Sequence, residues 1–359
     1  MDLTSICRAA AQQGASDIHL KTGRSPAFRI NGVIQAMSGA SILSDENLTR
    51  MAWDIMSPGQ RERFKKLLDL DMSWEIEGLG RFRVNVFRQR HKMGMVLRVI
   101  PDGVRSIDEL ELPEVVKEIA TQPRGLVLVT GTTGSGKSTT LAAMVEEVNR
   151  RFPHHIMTIE DPIEFSFKDR KCVINQREVG VDTQSFSAGL RAVLRQDPDV
   201  ILVGELRDVE SVRIALDAAE TGHLVMSTLH TLDAAETINR IVAFFEPHHQ
   251  PQIRLQLASV LRAVLSQRLV PTLSGSRVAA VEIMRNTGTI SECISDPSRL
   301  TEIPDHIART SQVHGTQTFD QAIYKLLKDK RISQEQALRS VNNPDELELK
   351  LQGIEHGFA

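Results

Sequence analysis

The stretch Gly131-Thr132-Thr133-Gly134-Ser135-Gly136-Lys137-Ser138-Thr139 decides how this chain is read. It has the phosphate-loop spacing G-x-x-x-x-G-K-[ST], with Gly131 and Gly136 as its glycines and Lys137-Ser138 as its final pair. Upstream, Gly125-Leu126-Val127-Leu128-Val129-Thr130 is short, apolar and β-branched, as a buried parallel strand is. Downstream, residues 139–148 carry the period of an amphipathic helix. In that context glycines let backbone N–H groups turn in on phosphates, and the helix N-terminus adds partial positive charge. The motif therefore predicts a nucleoside triphosphate site built from Gly131 to Thr139. Lys137 is expected on the outer phosphates and the Ser138 hydroxyl on Mg²⁺. The alternative, a glycine turn that happens to precede a helix, accounts for neither flank.

Working outward, 359 residues suggest two or three domains with full cores. Hydrophobic residues make up 41% and charged residues 25%, the balance of a soluble globular protein. A net charge of −3 gives no global attraction to nucleic acid, so any basic surface must be local. The first residues lack a basic-then-apolar signal pattern, and no apolar run reaches spanning length; membrane contact is expected to be peripheral. Cys7, Cys172 and Cys293 are far apart and include no C-x-x-C pair, which argues against a disulfide framework or zinc and for a reducing cytoplasm.

In chain order, residues 1–100 read as an α+β domain. A helix at Leu3–Gln13 precedes a strand from Ser16, an Asn31-Gly32 hairpin, helices capped near Ser44 and starting at Gln60, and alternating strands over 71–100. Residues 101–123 read as a polar connector with one short helix, and 124–285 as the nucleotide-binding core. There strands and helices alternate as they do around a parallel sheet. Residues 286–359 read as helical. Ile253, Leu257, Val260, Leu261, Val264 and Leu265 share a helical stripe, so one helix is expected to continue through residue 265. The fold class is α/β.

Three further groups carry chemistry. Asp199-Val200-Ile201-Leu202-Val203-Gly204-Glu205 is a buried strand ending in acid, the form of a Walker B segment; Glu205 is expected to hold Mg²⁺ through water or to orient the attacking water. Glu160-Asp161-Pro162-Ile163-Glu164 crowds three carboxylates after another core strand, where a cation or water between them makes sense; a solvated turn is the alternative. His230 follows the strand ending at Leu229 and is a candidate γ-phosphate sensor or simply a satisfied strand-end histidine. Arg195 and Arg207 flank the site, and Arg81, Arg83 and Arg98 lie in the first domain. Each is a candidate arginine finger, in cis or from a neighbouring subunit, or else part of a solvated basic face.

Taken together these residues resemble the secretion-ATPase superfamily, nearest to its type IV pilus retraction ATPases (the PilT/PilU family). The resemblance spans nearly the whole chain. It is carried by Gly14-Ala15-Ser16-Asp17-Ile18-His19-Leu20, Gly80-Arg81-Phe82-Arg83-Val84-Asn85, the phosphate loop, an Asp box at Ile159–Phe165, Leu194–Asp199 leading into Walker B, and a His box at Ser227–Thr231. It implies a PAS-like first domain, a RecA-like core and a helical C-terminal extension. By motif, Glu205 takes the Walker B glutamate's place, Glu160 and Glu164 those of the Asp-box acids, and His230 that of the His-box histidine. It also implies ATP with Mg²⁺, a homohexamer whose interface arginines reach nucleotide, and an inner-membrane pilus platform protein as partner at the cytoplasmic face. Assembly ATPases carry an extra N-terminal domain and a four-cysteine motif; their absence here favours the retraction branch.

One departure stands out. Retraction ATPases carry a motif reading Ala-Ile-Arg-Asn-Leu-Ile-Arg-Glu, and Gly288–Ser295 keeps its isoleucines while losing its arginines. A subunit dependent on a paralogous retraction ATPase is therefore the alternative. A nucleic-acid motor is a third reading, opposed by the net charge and by a single tyrosine for base stacking.

Overall fold

The computed structural model describes residues 2–352 except Asn31, Pro101 and Asp102, and it divides into two compact units. The first comprises Met1–Gly103 with Pro162–Ser166, and the second Val104–Asp161 with Phe167–Ala359.

The first unit runs α1 (Leu3–Gln12), β1 (Asp17–Lys21), β2 (Ala27–Ile30), β3 (Val33–Ala36), α2 (Asp45–Ile55), α3 (Pro58–Leu67), β4 (Asp69–Ile76), β5 (Gly80–Gln89) and β6 (Lys92–Ile100). The caps follow the sequence: Ser44 Oγ accepts from Asn47 N, and Ser57 with Gln60 closes a capping box on α3. The six strands form one antiparallel sheet in the order β3-β2-β1-β6-β5-β4. Phe82, Val84 and Val86 point into a core shared with Ile6, Ile18, Phe28, Leu48 and Leu97, while Arg81, Arg83 and Asn85 take the opposite face. The Ile30–Val33 pairing makes the expected two-residue hairpin; Asn31 and the first two residues read as connector, Pro101 and Asp102, lie outside the described residues.

The second unit opens with α4 (Val115–Ala120), β7 (Gly125–Thr130), α5 (Lys137–Arg151), β8 (His155–Glu160), β9 (Val173–Glu178), α6 (Phe186–Val193), β10 (Val200–Val203), α7 (Val209–Glu220), β11 (Leu224–Leu229) and α8 (Ala234–Ala243). It continues with α9 (Gln250–Val260), β12 (Leu261–Pro271), β13 (Arg277–Arg285), α10 (Gly288–Ser295), a 3₁₀ segment Pro297–Glu302, α11 (Ile303–Arg309), α12 (Ser311–His314), α13 (Phe319–Lys328), α14 (Gln334–Ser340) and α15 (Pro344–Leu351). Residues 353–359, also read as helical, lie beyond the described residues.

Seven strands form its sheet, in the order β13-β12-β7-β11-β10-β8-β9, all parallel except β13. Every residue of β7, β10 and β11 is buried, because helices cover both faces. Leu126 and Leu128 pack with α6, α7, α8 and α9, whereas Val127 and Val129 pack with α4 and α5. Residues read as connector contribute here: Ile107, Leu112 and Val116 are buried against the phosphate-loop helix α5.

One expectation is corrected. The helical stripe stops at Val260, and Leu261, Val264 and Leu265 belong to strand β12. Leu261 is extended at φ −60°, ψ 134°, and Ala263 to Ser266 pair in parallel with Val127 to Thr130. Burial on both faces fills every position with apolar residues, and such a run fits a helix period as well as a strand.

Candidate nucleotide site

The phosphate loop, Glu160, Asp161, Glu205 and His230 all lie at the edge of the sheet where its parallel strands end. This is where an open α/β sheet binds ligands. β7 delivers Gly131, β8 delivers Glu160-Asp161, β10 delivers Gly204-Glu205 and β11 delivers His230.

The loop's glycines are required by its path. Gly131, Gly134 and Gly136 have φ of 136°, 80° and 94°, conformations that side-chain-bearing residues avoid. A Cβ on Gly131 would lie 2.4 Å from the carbonyl oxygen of Gln267. Lys137 is buried and donates from Nζ to the carbonyls of Gly131 (2.8 Å) and Thr132 (3.0 Å), so its charge lies within the loop's curve. Ser135 Oγ and Gln267 Oε1 are buried without hydrogen-bond partners among the described residues. Buried orphan polar atoms are uncommon, and the orphaned Ser135 hydroxyl lies within a loop shaped for phosphate. The residues present thus fit a triphosphate. Ser138, half-buried in the first turn of α5, fits a Mg²⁺ ligand by its hydroxyl.

Sequence reasoning missed the floor of this loop. Thr130 Oγ1 donates to Ser266 Oγ (3.0 Å), and Gln267 Nε2 donates to Thr140 Oγ1 (2.8 Å) in the first turn of α5. The signal was there: Ser266-Gln267 is a polar pair inside an otherwise apolar run, and both residues are at most 1% exposed.

Glu205 is the centre of a polar cluster. Its Oε2 accepts from Arg207 Nε at 2.7 Å, and its Oε1 lies 3.3 Å from His230 Nε2. Arg207 Nη1 reaches Asp161 Oδ2 at 3.5 Å, and its guanidinium lies 5.7 Å from the Phe186 ring centroid. The hydrogen bond to Glu205 holds Arg207 above its ordinary pKa. Arg207 is about half exposed, so these pairs are worth roughly 0–1 kcal/mol to stability. Their effect is orientation: a carboxylate gripped on one oxygen keeps the other directed. The loop itself is tied to its neighbours, Gly204 N donating to Ile159 O and Thr228 Oγ1 to Gly204 O.

The other candidates are placed differently. Glu160 is buried and accepts from Thr158 Oγ1 (2.7 Å) and Gln176 Nε2 (3.1 Å), on the sheet face that carries α5. Glu164 is exposed in Pro162–Ser166, which belongs to the first unit. Arg195 donates to Arg191 O near the end of α6. Asp199, at the start of the Walker B strand, accepts from His155 N at the opposite edge of the sheet. In the first unit, Arg98 Nε donates to Asp17 Oδ1 (3.0 Å), Arg83 lies 3.8 Å from Asp71, and Arg81 donates to Ser73 Oγ (2.9 Å). Of the five candidate arginines, Arg207 is the one that touches Glu205 within the second unit.

Residues 1–342 match the family described as type II/IV secretion system protein. The chain is 45% identical to the type IV pilus retraction ATPase PilT of Pseudomonas aeruginosa, over 96% of this chain and 99% of the relative. It is 38% identical to the type IV pilus ATPase PilU of the same organism, over 98% of this chain and 91% of that one. The crystal structure of the pilus retraction motor PilT with bound ADP superposes with a TM-score of 0.89 at 43% identity, covering 97% of this chain and 99% of that one. With the phosphate loop, Glu205 and His230 at one edge of a RecA-like sheet, the chain belongs to the type II/IV secretion system protein family, within its group of pilus retraction ATPases.

Proposed function

We propose that this chain is an ATP-hydrolysing, Mg²⁺-dependent hexameric motor that powers type IV pilus retraction, and with it twitching motility, through an inner-membrane platform protein. The observation that carries it is the convergence of the Gly131–Thr139 loop, Glu205 and His230 on one sheet edge. Lys137 and the loop amides bind the β- and γ-phosphates; the Ser138 hydroxyl would hold Mg²⁺, and Glu205 would act on it through water. When bound, Mg²⁺ neutralises charge on the transferring phosphoryl. Glu205 orients the attacking water, and His230 and Arg207 hold Glu205 in register. Glu160 and Glu164 act as the Asp-box acids. Arg81, Arg83, Arg98 and Arg195 supply the remaining positive charge across subunit boundaries.

In this reading residues 1–100 form a PAS-like domain joined by 101–123 to an ATPase core at 124–285, with 286–359 as the helical C-terminal region. Hydrolysis at the subunit interfaces rotates the first domain against the core and so turns the platform. No helix among the described residues is long and apolar enough to cross a membrane, which fits attachment at the cytoplasmic face through that partner.

A second reading is favoured by one feature. In α10 the retained isoleucines Ile290 and Ile294 are buried, while Ser291 and Ser295 stand where the family's arginines stand. That supports an accessory subunit working beside a paralogous retraction ATPase. Turnover and solution mass of the purified chain, beside Lys137→Ala and Glu205→Ala, test both. A hexamer whose turnover both substitutions abolish supports the motor. Full turnover in Lys137→Ala refutes it, and a chain that binds ATP without turning it over supports the accessory role.

A further inference from the structure

We propose that Glu282 is a positioning residue for hydrolysis: its carboxylate grips the first turn of α8 and so fixes the loop that carries His230. This deepens the ATPase reading above and rests on it.

Glu282 lies on β13, two strands from the phosphate-loop strand, and is 5% exposed. Its Oε1 accepts a hydrogen bond from the N–H of Ala234, the first helical residue of α8, at 2.9 Å. Helix N-termini leave donors without intrahelical partners. Here Asp233 takes the N–H of Glu236, and Glu282 takes that of Ala234 from another element. The rest of the loop is tied locally: Thr231 Oγ1 lies 2.6 Å from Thr237 Oγ1, and Thr237 Oγ1 donates to Asp233 O. Glu282 is therefore the described side-chain link from this turn to the sheet's far edge.

The register explains why that link matters. Glu282 pairs with Ser266, Ser266 with Thr130, and Thr130 with Leu229, one rung across four strands. Thr130 precedes the phosphate loop and Leu229 precedes His230. Glu282 sits at one end of the rung and holds the helix that starts just beyond its other end.

Glutamate is an expensive choice for this place. A neutral acceptor would satisfy one N–H, whereas a buried carboxylate must be desolvated. What the charge adds is a stronger bond to a helix N-terminus. Burial pushes the Glu282 carboxyl up to about 7 against the pull of the Ala234 N–H; Asp233 on α8 and Asp320 on α13 push the same way, and Arg268 on β12 opposes them. The ionised form is the stronger acceptor, so the grip tightens as pH rises through neutrality.

The test uses the full chain and two variants. Glu282→Gln keeps the shape and removes the charge. Ala234→Pro removes the gripped N–H at a first helical position that tolerates proline and follows an extended Asp233. Amide exchange of peptides covering residues 230–236, corrected for intrinsic rate, is measured at about pH 6 and about pH 8, either side of the carboxyl's midpoint. In the wild type protection should be greater at the higher pH, and in Glu282→Gln it should stay at the low-pH value. At the higher pH both variants should lose about tenfold in kcat, the worth of one charge-assisted hydrogen bond. ATP affinity should hold within about twofold, because the phosphate loop is untouched. Equal protection in wild type and Glu282→Gln at both pH values overturns the grip. A loss of ATP affinity matching the loss of kcat overturns the positioning role. A wild-type chain without turnover overturns the ATPase reading on which the proposal rests, a failure the exchange measurement distinguishes from the others.

Discussion

Gly131→Ala and Gly134→Ala change the same residue type in the same loop, and the structure separates them. Both glycines have positive φ, so alanine at either is strained by roughly 1–3 kcal/mol. At Gly134 the new methyl meets nothing within 4 Å. In both variants the reduced entropy of the unfolded chain offsets about 0.4–1 kcal/mol of the strain. At Gly131 the methyl would lie 2.4 Å from the Gln267 carbonyl oxygen and 2.7 Å from Ser135 Oγ, whereas real Cβ contacts do not fall below 3.0 Å. The Gln267 contact is backbone in the middle of β12, where it pairs with Val281 of β13, so it cannot swing away as a side chain could. Overpacking of this kind adds roughly 1–3 kcal/mol. Gly134→Ala should therefore cost roughly 0–2.5 kcal/mol, and Gly131→Ala roughly 1–3 kcal/mol more than that, the overpacking term. Thermal unfolding without nucleotide reads the difference directly, since no ligand contact then contributes. The same displacement, forced on a loop that must cradle phosphate, should weaken ATP binding in Gly131→Ala by about tenfold or more. Equal melting shifts in the two variants would refute the claim that β12 sets the path of the loop.

Three other outcomes are expected. Arg207→Gln should leave the melting temperature nearly unchanged, because its ion pairs are half exposed, yet should cut turnover by about tenfold as Glu205 loses its orienting partner; unchanged turnover would make Arg207 an ordinary surface cation. Asp17→Asn should destabilise the first unit by about 1–3 kcal/mol. Although burial raises the Asp17 carboxyl, hydrogen bonds from Arg98 and Ser16 and the charges of Arg98 and Arg29 hold it below its ordinary 3.8. The stability it supplies is present above that value and lost as pH falls, so the gap between wild type and variant in denaturant unfolding should close in acid. Cys7, Cys172 and Cys293 are each buried in a different hydrophobic cluster, and burial raises all three thiols, Cys7 to about 12. A thiol reagent should titrate none in the native chain and all three after denaturation.

Much of this was legible in one dimension because its determinants are local. A phosphate loop needs glycines at fixed offsets between a strand and a helix, and those offsets are written in the chain. Caps behave likewise: Ser44, Ser57, Asp208 and Ser333 each accept a hydrogen bond from a backbone N–H three residues on, an offset visible along the chain. Buried strands such as Val200–Val203 announce themselves by unbroken apolar runs next to turn residues.

What only the tertiary structure decided is non-local. The run from Ile253 to Leu265 satisfies a helix period throughout, and no proline or glycine marks the change at Val260. The parallel pairing of Ala263–Ser266 with Val127–Thr130, more than a hundred residues away in sequence, turns its second half into strand β12. That strand then supplies Ser266 and Gln267 to the floor of the phosphate loop and links it to Glu282. Among five arginines equal in the sequence, the fold joined Arg207 to Glu205 and tied Arg98 and Arg83 to acids of their own sheet. Spacing along the chain specifies which chemical groups a loop carries. Which groups meet depends on strands paired across long separations, and the hydrophobic burial that drives that pairing is indifferent to distance along the sequence.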